Sequence, residues 1–218
     1  MSIENKKTVE IYKQKAQVYL SQSIENIKID PIKFNKKREE LEKIIRISFS
    51  SLPKGSKVFE IGSGDGINAK FIESLGFNIT ASDIADDFIN SLQSQGIKAV
   101  KFNALEDDFK EKYFAIFCWR VFVHFTKEDA LKIIEKVYDS LEDNGIFIFN
   151  AMNREIKTVD SEWVDFEGKY NMGVERFYNY FNKKDLDNMI EKTKFHIENF
   201  HTEGGKNNDK WLVYVLKK

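Results

Sequence analysis

The stretch VFEIGSGDG at residues 58–66 constrains the fold more than any other part of the chain. An apolar run that carries one acid, Glu60, is followed by Gly62, Gly64 and Gly66 at alternate positions. Glycine lacks a Cβ and adopts left-handed backbone angles, so such a turn lets a ligand lie against the backbone. Glycine-rich turns between a strand and a helix are typical of nucleotide-binding α/β folds. The stretch therefore predicts a strand, a ligand-binding turn and a helix, in that order.

The alternation of strand and helix continues beyond this turn. Five short apolar runs are predicted strands: 57–61, 77–82, 97–102, 113–118 and 146–150. Three helices are predicted between them: 67–75, 84–95 and 127–141. After a further helix at 183–193, two runs at 195–202 and 211–218 flank a glycine-containing loop, which indicates an antiparallel hairpin. Apolar strands that alternate with helices predict a Rossmann-like, doubly wound α/β sheet of seven strands, mostly parallel with a C-terminal antiparallel hairpin.

We expect one domain with a helical N-terminal arm. The length of 218 residues suits a single domain. Its predicted parts are the arm at 1–52, a ligand-binding half at 53–150, an insertion at 151–182, and the last helix and hairpin at 183–218. Spacings of three and four indicate two helices in the arm, at 8–20 and 34–49. Their predicted inward residues are Val9, Tyr12, Ala16 and Tyr19 in the first and Leu41, Ile44, Ile45 and Phe49 in the second.

Composition narrows the cellular setting and the possible partners. The net charge is only −1, which gives no general reason to expect nucleic acid, although residues 1–54 carry 12 Lys/Arg against 7 Asp/Glu. Cys118 is the single cysteine, so neither a disulfide framework nor a Cys/His zinc cluster is expected. The N-terminus is polar and no apolar run reaches membrane-spanning length. We therefore expect a cytoplasmic protein that has no membrane partner.

The residues around the turn identify the kind of nucleotide. The dinucleotide fingerprint would place its third glycine at position 67, where the chain has Ile67, and no P-loop lysine follows. Glu60 would repel a pyrophosphate and attract an ammonium group. Asp83 follows Gly62 by 21 residues, at the end of the next strand, where an acid can accept both hydroxyls of a ribose. A ligand with a ribose and an ammonium but no phosphate at the turn fits S-adenosylmethionine.

These motifs resemble those of the class I S-adenosylmethionine-dependent methyltransferases. The resemblance covers about residues 50–218 and is carried by five runs: VFEIGSGDG, ITASDI, VKFNALEDDF, FAIFCWRVFVHF and LEDNGIFIFN. It implies that the cofactor is S-adenosylmethionine, that the product is S-adenosylhomocysteine, and that no metal is required. The implied cofactor-binding residues are Glu60, Gly62, Ser63, Gly64, Gly66, Asp83, Ile84, Asn103, Ala104, Trp119 and Tyr19.

Several of these assignments have alternatives. The family usually has Asp where Asn103 stands, so the contact to adenine would be neutral here. Asp83 could instead cap the following helix. Tyr12 and Tyr19 resemble tyrosines of the family's N-terminal lid helix, with core packing as the other interpretation. Ala115 replaces an Asp that is common early in the fourth strand, at a position we interpret as structural.

The chemistry requires little from side chains. Methyl transfer from a sulfonium is an in-line displacement with a neutral leaving group, so catalysis depends mainly on proximity and orientation. His124 is the candidate base, and a packing histidine is the alternative. Arg120 could bind an anionic acceptor or form a surface salt bridge. The strand-four exit CWRV lacks the proline motif of DNA amino-methyltransferases, the Pro-Cys pair of cytosine-C5 enzymes and the carboxylates of magnesium-dependent catechol enzymes.

The acceptor is expected to be a small molecule. The insertion holds aromatic residues outside the core pattern, which indicate an acceptor cavity or a satellite core: Trp163, Phe166, Tyr170, Phe177, Tyr178 and Tyr180. The predicted function is S-adenosylmethionine-dependent methyl transfer to a small-molecule acceptor. A methyltransferase that acts on tRNA or protein, and a non-catalytic protein that binds S-adenosylmethionine, are the alternatives. The sequence leaves the acceptor atom and the oligomeric state open.

Overall fold

The computed structural model of the protein describes residues 1–29, 31–165, 172–205, 207 and 209–218. Nine strands lie within these residues: β1 Lys57–Ile61, β2 Asn78–Asp83, β3 Ala99–Lys101, β4 Tyr113–Cys118, β5 Leu141–Met152, β6 Ser161–Val164, β7 Arg176–Asn179, β8 His196–Glu203 and β9 Trp211–Lys217. The helices there are α1 Ile3–Ile29, α2 Pro31–Ser48, α3 Ile67–Ser74, α4 Asp86–Ser94, α5 Lys127–Ser140 and α6 Lys183–Glu191. Short 3₁₀ turns lie at Phe122–His124 and Arg154–Ile156.

Seven of the strands form one sheet in the order β3-β2-β1-β4-β5-β9-β8. The five strands from β3 to β5 are parallel, and β9 runs antiparallel to both β5 and β8. The predicted fold class is thus confirmed, including the C-terminal hairpin. Chain order reverses between β1 and β4, because β2 and β3 lie on one side of β1 and later strands on the other. Ligands of open α/β sheets bind at the carboxyl ends of the strands beside such a reversal.

Both faces of the sheet are buried, as near-continuous apolar strands require. One face packs residues such as Phe59 and Phe149 against α5 and α6. The other packs Val58, Phe117 and Ile148 against α2, α3 and α4. Cys118 is a free, fully buried thiol in the cluster that packs against α5 and α6. Ala115 is also fully buried within β4, consistent with its structural interpretation.

The N-terminal arm is longer and more regular than the sequence predicts. The first helix begins at Ile3 instead of residue 8 and continues to Ile29. Its predicted inward face is correct, since Val9 and Ala16 are buried, and Ala16 packs with Phe88 of α4. Within the described residues, none of the helices is both long enough and apolar enough to cross a membrane.

The insertion contains structure that the sequence does not indicate. β6 and β7 form a separate two-stranded antiparallel sheet, in which Trp163 lies opposite Phe177. Tyr178 and Tyr180 are buried there in a small cluster with Met152 and Trp211. Two further aromatic residues of the predicted acceptor cavity, at positions 166 and 170, lie outside the described residues.

Candidate active site

The glycine turn after β1 has the backbone that its sequence predicts. Gly62, Gly64 and Gly66 have φ angles of 72°, 52° and 80°, in the left-handed region that favours glycine. A Cβ on Gly62 would lie 2.4 Å from Cγ2 of Val121, so this backbone is in close contact with the strand-four exit. A Cβ on Gly64 would meet only Tyr19, at 3.8 Å. The predicted lid tyrosine therefore lies over the middle of the turn.

Asp83, at the end of β2, lies beside this turn. Its carboxylate accepts hydrogen bonds from the backbone N–H of Gly64, at 2.9 Å, and of Ile84, at 2.7 Å. Burial raises the pKa of Asp83 to about 6, while these backbone donors act in the opposite direction. Ser63 fixes the two segments, because its N–H donates to the carbonyl of Ser82 at 2.8 Å. The structure thus brings the predicted ribose acid and the glycine turn together.

Glu60 is a buried carboxylate at the end of β1. Only 1% of the residue is exposed, and neither carboxylate oxygen has a hydrogen-bond partner among the described residues. Burial raises the pKa of Glu60 to about 7, and the nearby Ser63 and Asn68 side chains offset part of this effect. These two side chains lie near enough to stabilise the charge without forming a hydrogen bond to either oxygen, and a buried acid in that state is costly unless a partner satisfies it. Glu60 therefore suits a cationic partner.

Ile84, Asn103 and Ala104 lie next to the ends of β2 and β3. Ile84 and Asn103 line a cavity of about 630 Å³ that is bounded on the α1 side by residues such as Lys6 and Val9. The Asn103 side chain also holds its own loop, because its Oδ1 accepts a hydrogen bond from the N–H of Leu105 at 3.1 Å. Ala104 is buried in the core. The cavity lies between the lid helix and the predicted adenine side.

The strand-four exit turns sharply at Arg120, which has a left-handed φ of 62°. Its N–H donates a 2.6 Å hydrogen bond to Oδ1 of the buried Asn150. The Arg120 guanidinium lies over the Trp211 ring and pairs with Glu203 at 3.9 Å, so the salt-bridge alternative describes its side chain here. Trp119 is buried, and its ring stacks on that of Phe117 with 5.6 Å between the ring centroids.

His124 is buried at the end of a 3₁₀ turn, with both ring nitrogens engaged. Nδ1 lies 2.8 Å from the carbonyl oxygen of Phe177, and Nε2 lies 2.9 Å from the hydroxyl of Tyr12. A carbonyl only accepts, so Nδ1 carries the hydrogen and Nε2 accepts from Tyr12. Burial, with a smaller effect of Arg176, lowers the pKa of His124 to about 4, while the hydrogen bond to the Phe177 carbonyl acts in the opposite direction. The imidazole is therefore neutral at physiological pH.

Arg176 in β7 is a functional candidate that the sequence analysis missed. The residue is 1% exposed, and its Nη1 donates to the Tyr12 hydroxyl at 3.4 Å. Its guanidinium also lies 5.7 Å from the Tyr178 ring centre and 4.0 Å from a carboxylate oxygen of Asp165. The sequence offered one signal for this residue, because Arg176 stands alone beside several aromatic residues. A buried guanidinium needs partners that compensate its charge.

Hydrogen bonds hold helix α1 across the carboxyl ends of the parallel strands. The Ser2 N–H donates to Asp129 at 3.0 Å, and the Asn5 amide donates to the carbonyl of His124 at 3.2 Å. Thr8 accepts a hydrogen bond from the Phe177 N–H at 3.3 Å. With the contact between Tyr12 and His124, these bonds form a stripe along one side of the helix. The helix thus covers both the glycine turn and the His124 cluster, which consists of His124, Tyr12, Arg176 and Tyr178.

The fold and the site together define a Rossmann-like α/β protein that has a ligand site at the carboxyl edge of its sheet. The family described as "Methyltransferase domain" matches residues 34–199. The chain therefore belongs to the class I S-adenosylmethionine-dependent methyltransferases and is an enzyme of that class. No curated protein sequence matches it.

Solved methyltransferase structures share this fold at low sequence identity. An S-adenosylmethionine-dependent methyltransferase from Methanosarcina mazei has a TM-score of 0.66 and 15% identity, over 79% of this chain and 96% of that chain. One from Clostridium acetobutylicum has a TM-score of 0.64 and 13% identity, over 80% and 88%. The magnesium protoporphyrin IX methyltransferase of Synechocystis, with bound S-adenosylmethionine, has a TM-score of 0.62 and 12% identity, over 84% and 78%.

Proposed function

We propose that the protein transfers the methyl group of S-adenosylmethionine to a small-molecule acceptor by in-line displacement. The observation that carries this proposal is Glu60, a buried carboxylate whose oxygens lack hydrogen-bond partners among the described residues. It lies on the same strand-and-turn unit as three left-handed glycines. A ligand that presents an ammonium at Glu60 and a ribose at Asp83 would satisfy both acids.

The residues present fit this cofactor. Gly64 and Ser63 would let it approach the backbone, Gly62 would do so once Val121 moves aside, and Gly66 would shape the turn because Leu92 and Ile97 occupy the space at its Cβ position. Asp83 with Ile84 would hold the ribose. The Trp119 backbone would face the amino acid end, while Asn103 and Ala104 would flank adenine. Tyr19 would cover the turn from α1. When bound, the cofactor supplies a sulfonium methyl group with a neutral leaving group, so the chain's task is alignment.

The closed edge of the sheet favours a small acceptor. Helix α1 is hydrogen-bonded over His124, and beneath it Tyr12, Arg176 and Tyr178 pack against one another. A site covered in this way suits a molecule that is buried on most sides. Val121 packs on Gly62, and a ligand against that glycine would have to displace the side chain. The Synechocystis relative also acts, by its name, on a small molecule.

His124 remains our candidate for assisting the acceptor, with a more restricted role than a free base. Its Nε2 accepts the Tyr12 hydroxyl hydrogen, so a proton from the acceptor would have to pass through Tyr12. The lowered pKa of His124 makes the imidazolium unfavourable in this position. Arg120 stays a candidate for an anionic acceptor only if its guanidinium leaves Trp211 and Glu203.

Calorimetry with S-adenosylhomocysteine tests the proposal directly. We expect binding by the folded wild-type protein, and its absence would refute the function. Incubation with methyl-labelled S-adenosylmethionine and separate pools of small amines, phenols, thiols, tRNA and protein would then identify the acceptor class. Label that enters only tRNA or protein would replace the small-molecule assignment. Binding without transfer to any pool would favour a non-catalytic role.

A further inference from the structure

Asn150, at the carboxyl end of β5, is a second buried polar side chain with unsatisfied hydrogen-bonding capacity. The residue is fully buried, and its Nδ2 has no hydrogen-bond partner among the described residues. Its amide orientation is fixed by chemistry, because Oδ1 accepts the hydrogen bond from the Arg120 N–H and the amino group must face the other way. Asn150 therefore presents N–H donors beside the strand-four exit.

The strand register relates Asn150 to Glu60. Glu60 is aligned with Phe117 of β4, which is aligned with Ile148 of β5. Aligned residues of neighbouring strands share a face of the sheet, and side chains alternate along a strand, so Asn150 lies on the same face as Ile148 and Glu60. One end of this face thus carries unpartnered acceptors on Glu60 and unpartnered donors on Asn150.

The hydrogen bond to the Arg120 turn explains the oxygen of the Asn150 amide and leaves its amino group unexplained. Oδ1 alone accepts the Arg120 N–H, and an aspartate would supply the same acceptor. The amino group contributes nothing to that contact and costs free energy when it is buried without a partner. The Asn150 amino group lies near the carboxyl ends of the strands, where ligands of such sheets bind. An oxygen of a bound ligand would therefore give this donor a partner.

We propose that the amino group of Asn150 binds the α-carboxylate of the cofactor's amino acid end, while Glu60 binds its ammonium. This inference rests on the proposed function, because it assumes that S-adenosylmethionine occupies the site. Complementary partners for a zwitterion then share one face of the sheet on either side of β4, and the Asn150 side chain accepts the hydrogen bond from the Arg120 N–H. Asn150 acts as a positioning residue that fixes the amino acid end of the methyl donor.

Two ligands and two variants test the proposal by calorimetry. S-adenosylhomocysteine carries the amino acid end, whereas 5′-methylthioadenosine keeps the adenosine and sulfur without it. We expect Asn150→Asp and Asn150→Leu to weaken S-adenosylhomocysteine binding about 10- to 100-fold and to leave 5′-methylthioadenosine binding unchanged. Asn150→Asp keeps the acceptor for Arg120, so a purely structural role predicts wild-type affinity for both ligands in this variant.

The outcomes separate this inference from the proposed function. A wild-type protein that does not bind S-adenosylhomocysteine would overturn both. Wild-type affinity of Asn150→Asp for S-adenosylhomocysteine would overturn the role of Asn150 alone. Should either variant fail to fold, the Asn150 side-chain amide signals of the wild-type protein provide the test. We expect nuclear magnetic resonance to show that they shift with S-adenosylhomocysteine and not with 5′-methylthioadenosine, and equal shifts would contradict the proposal.

Discussion

The Tyr12 hydroxyl donates its hydrogen to Nε2 of His124 across 2.9 Å, and Nδ1 of the same ring donates to the Phe177 carbonyl at 2.8 Å. These two hydrogen bonds connect α1, β7 and the turn after β4 through one imidazole. Each partner fixes the tautomer that the other needs. The lid helix and the insertion are therefore coupled by a side chain that stands next to the candidate site.

This coupling should be measurable in a double-mutant cycle. Tyr12→Phe and His124→Gln each remove one side of the hydrogen bond, so their effects on the free energy of unfolding should be non-additive by about 1 kcal/mol. Urea unfolding of the two single variants and the double variant gives this value. Tyr214→Phe serves as the control, because the Tyr214 hydroxyl bonds to Asp187 and Lys183 of α6 instead of His124 and should be additive with His124→Gln. Additivity of Tyr12→Phe and His124→Gln would contradict the hydrogen bond.

Gly62 should be hard to replace for steric reasons. Gly62→Ala brings a Cβ to 2.4 Å from Val121 and adds the cost of a left-handed alanine, about 1–2 kcal/mol. Gly96→Ala is the matched control, since Gly96 has φ 80° with open space around its Cβ position. Thermal unfolding should show the larger loss for Gly62→Ala, with partial recovery in Gly62→Ala/Val121→Ala. Equal losses for the two glycines would refute the steric cause.

Asp83 should contribute to ligand binding and to the integrity of the turn. Asp83→Ala leaves the N–H groups of Gly64 and Ile84 without their acceptor, which should cost about 1–3 kcal/mol of stability. It also removes the proposed ribose acid, so the affinity for S-adenosylhomocysteine should fall at least tenfold, about the value of one charged hydrogen bond. Asp86→Ala is the control, because that side chain is exposed and its ion pair with Lys101 lies at the surface. Calorimetry on both variants decides whether Asp83 binds the ligand.

The central sheet could be predicted from the sequence because it depends on long apolar runs. The strands β1, β2, β4, β5 and β9 are buried on both faces along most of their length, and their composition alone distinguishes them from the amphipathic helices between them. The glycine turn could also be predicted, since three alternate glycines that follow an acidic residue have few structural explanations. The close contact of this turn with Val121 could not be predicted, because Val121 follows β4 and is distant from Gly62 in the sequence.

The parts that the sequence did not indicate depend on tertiary contacts of single residues. The first turns of α1 are held by Ser2 and Asn5, whose partners lie more than 100 residues away. Strands β6 and β7 have four residues each, which is too short for alternation to exceed chance. Arg176 belongs to no motif, and Asn150 ends the run LEDNGIFIFN without a role that the sequence assigns to it, so only their burial in the folded chain reveals them.

The raised pKa of Glu60 predicts a pH-dependent stability. A carboxyl whose pKa is higher in the folded state binds more protons there, so the contribution of Glu60 to stability falls as the pH rises from its unfolded value of about 4.5 to about 7. Glu60→Gln resembles the protonated acid. We expect it to be neutral at pH 5 and to raise the free energy of unfolding by about 2 kcal/mol at pH 8. Denaturant unfolding at both pH values measures this difference, and a destabilised variant at pH 8 would contradict it.

The same carboxyl predicts proton release when the ligand binds. Near pH 7 about half of the Glu60 side chains are protonated, because burial raises the pKa to about 7. An ammonium placed beside the carboxyl favours its ionised form, so S-adenosylhomocysteine should displace protons and bind more tightly at pH 8 than at pH 6. Calorimetry in buffers of different ionisation enthalpy counts the protons released. Glu60→Gln should reduce this count at pH 7 and leave only the smaller contribution of Asp83, whose pKa is about 6. Proton uptake by the wild type, or an equal release from the variant, would show that no cation binds at Glu60.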